Sequence, residues 1–458
     1  MDRNELRDLF NSLTLESEDH WDYRGKNNSQ RDFVHGFCTY PAMMVPKMQR
    51  EILDVCLKIN TSANITLIDP FAGSGTVLVE GMLRGVDVTG IDVNPLAILL
   101  CKVKTTIVKP GNLKKHAQSL LNRIDNQNEV KLHSFEGINK WFTNQAISDL
   151  SRIRHGILEE HDLNFRRFFW ASFCEVVRSV SNSRDCTYKL HIKEKKDIDN
   201  YNEDAVKLFR NTLQYNIVKY EEFYRILKER GYLSKQGTSY KGTVKIVYGN
   251  SIEYLKHAKK KYDLVITSPP YGDNHTTVTY GQYSILPLRW IDYRDIDEKI
   301  NETTLSTQCE IDNESLGGKS SNLSMTKERE LVIKKSAMLR HQRDEILRLA
   351  PNQVNKLIAF YSDYDKFLAA ISKRMKPDTI SVWTLGNRKI AKQEIYMDRI
   401  MLDLANYYHL DLVTNFSRNI TRKRMPKMNG YTGDKKGLQG TMTREHIQVY
   451  VRSENIYE

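Results

Sequence analysis

The chain lacks the features of a secreted, membrane-bound or metal-stapled protein. Its six cysteines stand at positions 38, 56, 101, 174, 186 and 309, and none form a C-x-x-C pair. Neither a zinc site nor a disulfide frame is expected, and the thiols read as buried or idle in a reducing cytosol. No apolar run reaches the roughly 18 residues that a membrane-spanning helix needs. The first residues, Met1-Asp2-Arg3-Asn4-Glu5, are charged, with no apolar core behind them. A cytoplasmic protein is therefore expected rather than an exported one. No spaced cluster of metal ligands stands out, and no metal is expected.

What is present is a long, basic chain. Its 458 residues are 40% hydrophobic and 28% charged, the balance of a soluble protein with a sizeable core. The length predicts one catalytic domain of about 250–300 residues carrying one or two insertions. A formal net charge of +12 favours a polyanionic partner, because Lys and Arg on phosphates release counterions.

Two stretches carry chemistry. In the first, a short β-branched strand, Ile65-Thr66-Leu67-Ile68, runs into Asp69-Pro70-Phe71-Ala72-Gly73-Ser74-Gly75-Thr76. Gly73 and Gly75 allow a sharp turn and a close backbone approach to a ligand. A helix follows, and its first N–H groups suit an anionic group such as a carboxylate. Residues 86–92 read as a second strand ending on Asp92, an acid placed to accept both hydroxyls of a ribose. A dinucleotide-binding fold would have a glycine three positions after Gly75, where this chain has Leu78. The second stretch is Asp263-Leu264-Val265-Ile266, followed by Thr267-Ser268-Pro269-Pro270-Tyr271. The apolar run predicts a buried parallel strand. Two prolines stop its ladder, since neither has an N–H, and they hold the backbone extended and stiff. The Ser268 hydroxyl, the Pro269 carbonyl and the Tyr271 ring then make a site for a planar group bearing an amine.

Both stretches resemble the motifs of S-adenosylmethionine-dependent DNA methyltransferases that modify exocyclic amino groups. Asp69 to Thr76 looks like their cofactor loop, and Ser268-Pro269-Pro270-Tyr271 has the form typical of the cytosine-N4 enzymes. Tyr40-Pro41-Ala42 and Pro46, ahead of an amphipathic helix over about 44–58, resemble the segment covering the methionine end of the cofactor. The family usually has an acid where Asn250 stands, beside Ser251. The Asn250 amide oxygen would take over the bond from the adenine amine.

The resemblance implies an α/β, Rossmann-like class I methyltransferase fold with a mixed seven-stranded sheet, helical insertions and the cofactor half first in the chain. It implies S-adenosylmethionine as cofactor, and double-stranded DNA with one flipped base as partner. The implied cofactor site is Tyr40, Pro41, Asp69, Phe71, Ala72, Gly73, Ser74, Gly75, Thr76, Asp92, Asn250 and Ser251. Ser268 and the Pro269 carbonyl would accept from the cytosine N4 amine, Pro270 would stiffen the turn, and Tyr271 would stack on the base. The chain has no Pro-Cys dipeptide, which the cytosine-C5 enzymes use for their nucleophile. A restriction–modification role beside a separate endonuclease is a further expectation from the resemblance. Adenine-N6 methylation, whose enzymes usually carry Asp or Asn where Ser268 stands, stays open. So do methylation of an RNA amine and nucleic-acid binding without catalysis.

The rest of the chain divides by pattern. Residues 1–106 hold an N-terminal cover and the first half of the core, and 107–240 a mostly helical insertion. Residues 241–290 return to the core with the catalytic motif, 291–355 form a charged insertion, and 356–458 complete the core. The insertion over 291–350, with a basic helix over 328–349, is expected to be mobile without DNA and to serve in its recognition. Strands at 410–416 and 446–452 close the sheet beside a fifth strand at 379–387. The loop joining them is the densest basic segment, with Arg418, Arg422, Lys423, Arg424 and Lys427. It is predicted to touch the DNA backbone.

Overall fold

The computed structural model describes residues 1–14, 21, 32–127, 129–184, 187–200, 203–274, 277–318, 327–420, 428–429, 439–440 and 443–453. Arg422, Lys423, Arg424 and Lys427 lie outside these residues, as does Cys186. Seven strands form the main sheet: β1 (Thr66–Asp69), β2 (Asp87–Asp92), β3 (Val244–Tyr248), β4 (Tyr262–Thr267), β5 (Met375–Gly386), β6 (Leu410–Asn419) and β7 (Arg444–Arg452). Their spatial order is β3-β2-β1-β4-β5-β7-β6. The first five run parallel, and β7 enters antiparallel between β5 and β6. The chain builds outward from β1 through β2 to β3, then returns to add β4 on the other side. The switch point therefore falls between β1 and β4, where α/β sheets bind ligands at their carboxyl ends.

Both faces of the sheet are covered. Leu67, Leu264, Ile266 and Val382 pack into one core, and Ile68, Val265 and Trp383 into the other. This is the period-two alternation of strands, with apolar residues needed on each side. In β7 the apolar alternation of Ile447, Val449 and Val451 suggests one wet face. Gln448 and Tyr450 between them are buried as well.

The longer helices are α1 (Arg3–Thr14), α2 (Pro46–Ile59), α3 (Thr76–Met82), α4 (Pro95–Thr105), α5 (Pro110–Asn126), α6 (Asn144–Leu158) and α7 (Leu163–Ser179). They continue as α8 (Ala205–Glu229), α9 (Ser251–His257), α10 (Tyr280–Trp290), α11 (Lys327–Lys335), α12 (Ala337–Leu349), α13 (Pro351–Ser372) and α14 (Met397–Tyr407). The helical insertion, α5 to α8, is no separate body. Phe168, Phe169, Trp170 and Phe173 of α7 are buried in the same apolar cluster as Leu67 and Val88 of the sheet. Burying those four aromatic side chains contributes several kcal/mol, at about 1.5–3 kcal/mol each.

The expected single basic helix over 328–349 is two helices. They break at Ser336, whose hydroxyl caps α12 by accepting from Leu339 N at 3.0 Å and donates to Asp403 at 2.7 Å. Nor does this segment stand off as a loose arm. Val332, Ile333, Leu339 and Ile346 are buried, and Lys335 donates to both oxygens of Asp365 on α13. Lys334, Arg340 and Arg348 face water while an apolar stripe holds the segment down. Among the described residues, no helix is long and apolar enough to cross a membrane.

Candidate active site

A cavity of about 670 Å³ opens at the carboxyl ends of β1, β2 and β4. Tyr40, Pro41, Phe71, Ala72, Gly73, Ser74, Thr76, Asp92, Asn250, Ser251, Ser268, Pro269, Pro270 and Tyr271 all line it. The structure thus brings together most residues singled out in the two motifs. Asp69 and Gly75 are not among its lining residues.

Asp69 serves the fold instead. One of its carboxylate oxygens accepts from the Thr267 hydroxyl at 2.7 Å and from Phe71 N at 3.1 Å, tying the end of β1 to the end of β4. Its other oxygen is buried without a partner. Burial pushes this carboxyl up to about 7. Gly75 caps α3 with a φ of +77°, in the left-handed region. A Cβ there would stand 3.1 Å from Cys101 Sγ, so any side chain is both strained and crowded.

The loop between these two residues is held by its own backbone. Gly73 N donates to one Asp92 oxygen at 2.8 Å, and Asn94 N to the other at 2.8 Å. Asp92 therefore sits at the end of β2 with its carboxylate at the cavity wall. Burial raises it to about 6, against these backbone hydrogen bonds, which lower it. Lys104, fully buried, donates to the Ser74 carbonyl at 2.8 Å from behind the loop, and burial pushes its ammonium down to about 8. Asn94 caps α4 through Leu96 N at 3.0 Å and gives its amide hydrogens to Tyr40 Oη at 3.0 Å and Ser284 Oγ at 2.8 Å. One side chain thus joins the cover segment, the start of α4 and α10.

Asn250 lines the wall with its amide oxygen already engaged. It caps α9, accepting from Ile252 N at 2.9 Å and Glu253 N at 3.4 Å. Its amide nitrogen donates to Glu314 O at 3.3 Å. An amide oxygen has two lone pairs, so the expected bond from an adenine amine has no free acceptor on this side chain. Ser251 donates to the Pro70 carbonyl, fixing α9 against the loop.

At the opposite end, the Ser268 hydroxyl lies 3.1 Å from the Tyr271 hydroxyl, which donates to Glu445 Oε1 at 3.1 Å. Burial, and next the Glu445 charge, push the Tyr271 phenol well above its ordinary range, so it stays protonated. Arg418, expected on the DNA backbone, is drawn into this wall. Its Nε and Nη2 reach Glu445 Oε2 at 2.8 and 2.6 Å, and its side chain is only 10% exposed. The reason is register, since Glu445 of β7 stands directly across from Arg418 of β6, where opposite charges attract.

Sequence reasoning missed Glu445, Asn274 and Lys104. Asn274 lines the cavity and is buried, with its amide oxygen unpartnered. Its proximity to the proline motif was the one signal available.

The residues present suit S-adenosylmethionine. A half-buried acid, an aromatic ring at Phe71 and a glycine turn with a φ of +48° at Gly73 surround one continuous cavity. A sheet of this order, with an acid at the end of β2 and a proline motif after β4, defines a Rossmann-like methyltransferase. No protein-family model matches the chain. It is 31% identical over 451 residues to the type II methyltransferase M.MvaI of Kocuria varians, covering 96% of each chain. It is 34% identical over 90 residues to the type II methyltransferase M.MjaII of Methanocaldococcus jannaschii, which is 20% of this chain and 16% of that one. The rRNA methyltransferase aviRa from Streptomyces viridochromogenes superposes with a TM-score of 0.32 at 10% identity, over 93% of this chain and 96% of that one. A likeness so loose carries no argument. The chain belongs to the type II methyltransferases. It is a DNA methyltransferase, and S-adenosylmethionine is its methyl donor.

Proposed function

We propose that the enzyme methylates the exocyclic N4 amine of cytosine within one short sequence of double-stranded DNA, as the protecting partner of a separate endonuclease. The observation that carries this reading is Ser268, at the end of β4, facing the same cavity as Asp92 and the glycine loop. The corresponding adenine enzymes would carry Asp or Asn there. S-adenosylmethionine supplies an electrophilic methyl group on sulfur.

The protein's part is to present the amine. The target base leaves the duplex to enter the cavity. Ser268 Oγ and the Pro269 carbonyl accept the two amine hydrogens, turning the nitrogen lone pair towards the cofactor. They also stabilise the positive charge that grows on nitrogen as the bond forms. Pro269 and Pro270 keep those acceptors from swinging away. The Tyr271 ring supports the base by stacking. Asp92 would hold the ribose, Gly73 would let the cofactor approach the backbone, and the Thr76 end of α3 would face its carboxylate. Asn274, with an unpartnered buried oxygen, adds a polar group for the base edge.

Ile420 and Glu445, beside the end of β6 and the start of β7, also line the cavity. Arg422, Lys423, Arg424 and Lys427, on the connection between these strands, contact DNA phosphates in this reading.

The test is to express the chain in a methylation-free host and map modified bases in the genomic DNA by single-molecule sequencing. A Ser268→Ala, Tyr271→Ala double variant is the control. N4-methylcytosine at one recurring sequence, absent in the control, is the expected result. N6-methyladenine instead would overturn the base assignment.

A further inference from the structure

We infer that Glu445 is a positioning residue that fixes the direction of a hydrogen-bond chain, so that Ser268 can only accept from the substrate amine. This rests on the reading of Ser268 given above. The chain runs from Ser268 Oγ to Tyr271 Oη at 3.1 Å, from Tyr271 Oη to Glu445 Oε1 at 3.1 Å, and from Glu445 Oε2 to Arg418.

Polarity decides what this chain does. A hydroxyl has one hydrogen to give and two lone pairs. A carboxylate has none to give. Arg418 grips Glu445 Oε2 with two nitrogens, at 2.8 and 2.6 Å. Tyr271 must therefore spend its hydrogen on Oε1. Its oxygen is then the acceptor in the contact with Ser268, and Ser268 must spend its own hydrogen on Tyr271. What remains on Ser268 Oγ is lone pairs, and the residue lines the cavity.

The opposite polarity would stop the reaction. A serine hydrogen pointing into the cavity would bond to the lone pair of the incoming amine. That lone pair has to attack the methyl group, so the bond would hold back the nucleophile. A serine alone is free to adopt either rotor. Glu445, distant in sequence by 174 residues from Tyr271, removes the wrong one. The same chain holds Tyr271 in place by its hydroxyl while its ring faces the base.

Glu445→Gln reverses the polarity with almost no change of shape. Arg418 has only donors, so the amide oxygen stays on Arg418 and the amide nitrogen turns to Tyr271. Tyr271 then donates to Ser268, and Ser268 donates into the cavity. The expected result is a fall in kcat of about a hundredfold, with KM for DNA and calorimetric affinity for S-adenosylmethionine unchanged. Tyr271→Phe, which leaves the Glu445–Arg418 pair intact, cuts the chain and lowers kcat as well. Adding Glu445→Gln to Tyr271→Phe costs nothing further, because the acid acts through the phenol. A purely structural role would give costs that multiply, and that outcome overturns the inference. So does wild-type kcat in Glu445→Gln. If Glu445→Gln does not fold, wild-type kcat in Tyr271→Phe overturns it alone. Ser268→Ala separates the two readings. An active Ser268→Ala sinks the base assignment itself, whereas an inactive Ser268→Ala beside a fully active Glu445→Gln sinks only the polarity argument.

Discussion

The two ends of the cavity are held together by different materials. At the cofactor end, the contacts on Asp92 and on the Ser74 carbonyl join backbone groups to side chains within one stretch of chain, while Ser251 and the Asn94 side chain tie that stretch to the rest of the fold. Gly73 and Asn94 give backbone hydrogens to Asp92, and Lys104 gives a side-chain hydrogen to the Ser74 carbonyl. At the base end, side chain meets side chain across the whole fold, as Ser268, Tyr271, Glu445 and Arg418 do. A backbone donor survives any substitution of its own residue except proline. The cofactor end should therefore be sensitive mainly at Asp92, where two such donors converge, and at the left-handed Gly73 and Gly75. The base end should be sensitive at each member of its chain, and its members should act together.

The largest effects come from crossing the two ends. Ser268→Ala is expected to lower kcat by about a hundredfold or more, leaving the affinity for S-adenosylmethionine within about twofold by calorimetry. Asp92→Ala is expected to do the converse. It frees Gly73 N and Asn94 N and, in the proposed reading, removes the ribose acceptor, so affinity should fall by about a hundredfold, near 2.7 kcal/mol. Turnover at saturating cofactor should survive. If either variant moved both quantities equally, the two ends would be one site and the comparison would fail.

A smaller effect sharpens the contrast through pH. Burial raises the Asp92 carboxyl to about 6, so it is mostly ionised at neutral pH and mostly protonated near pH 5. Only the ionised form accepts two ribose hydrogens without offering one of its own. Affinity for the cofactor should fall as the pH drops through about 6, by about tenfold between pH 7 and 5. Asp92→Asn should flatten that profile. Asp69, raised to about 7, faces β4 rather than the cavity, so Asp69→Asn should leave the fall in place. A profile that follows Asp69 instead would move the acid of the site by one strand.

Lys104 gives a stability test of the same end. Its ordinary value of 10.5 is lowered by burial to about 8. Between those values the unfolded chain holds a proton that the folded chain has released. Stability from this residue therefore rises with pH across that window, and below about pH 8 the buried charge is a full cost. Denaturant unfolding of wild type and Lys104→Met at pH 8 and 10 should show the wild type gaining relative to the variant. Parallel behaviour of the two would mean that the ammonium is not buried behind the loop.

Legibility followed the same division. Contiguous motifs were readable because their chemistry is local, as glycines that must turn, prolines that cannot pair, and an acid at a strand end. From those the strands leading into the glycine loop, ending on Asp92 and preceding the proline motif were placed close to where the structure has them. Asp69 was misplaced because a carboxylate beside a glycine loop looks the same in sequence whether it faces a ligand or a neighbouring strand. Only the position of Thr267, set by the pairing of β1 with β4, decides it. Arg418 was read as a contact to the DNA backbone because its partner, Glu445, becomes its neighbour only through the antiparallel register of β6 and β7. Ser336, inside what looked like one basic helix, caps α12 and also donates to Asp403 of α14, a neighbour that only the fold supplies.

The smallest expected effect tests where the two ends meet. The resemblance placed Tyr40 against the cofactor, and the structure ties its hydroxyl to Asn94, which also binds Ser284 of α10. Tyr280, on the same helix, has its ring centroid 5.7 Å from that of Tyr40. If Tyr40 acts through this joint, Tyr40→Phe loses one neutral hydrogen bond, about 1 kcal/mol. Asn94 keeps Ser284 and its cap, so the wall moves little. Affinity for S-adenosylmethionine should then change by about fivefold or less, and kcat by a similar small factor, because the joint serves both ends. A loss of affinity beyond about tenfold with kcat untouched would give the hydroxyl to the cofactor directly. Tyr40 would then belong to the cofactor end alone, and the two ends would be less coupled than their shared asparagine suggests.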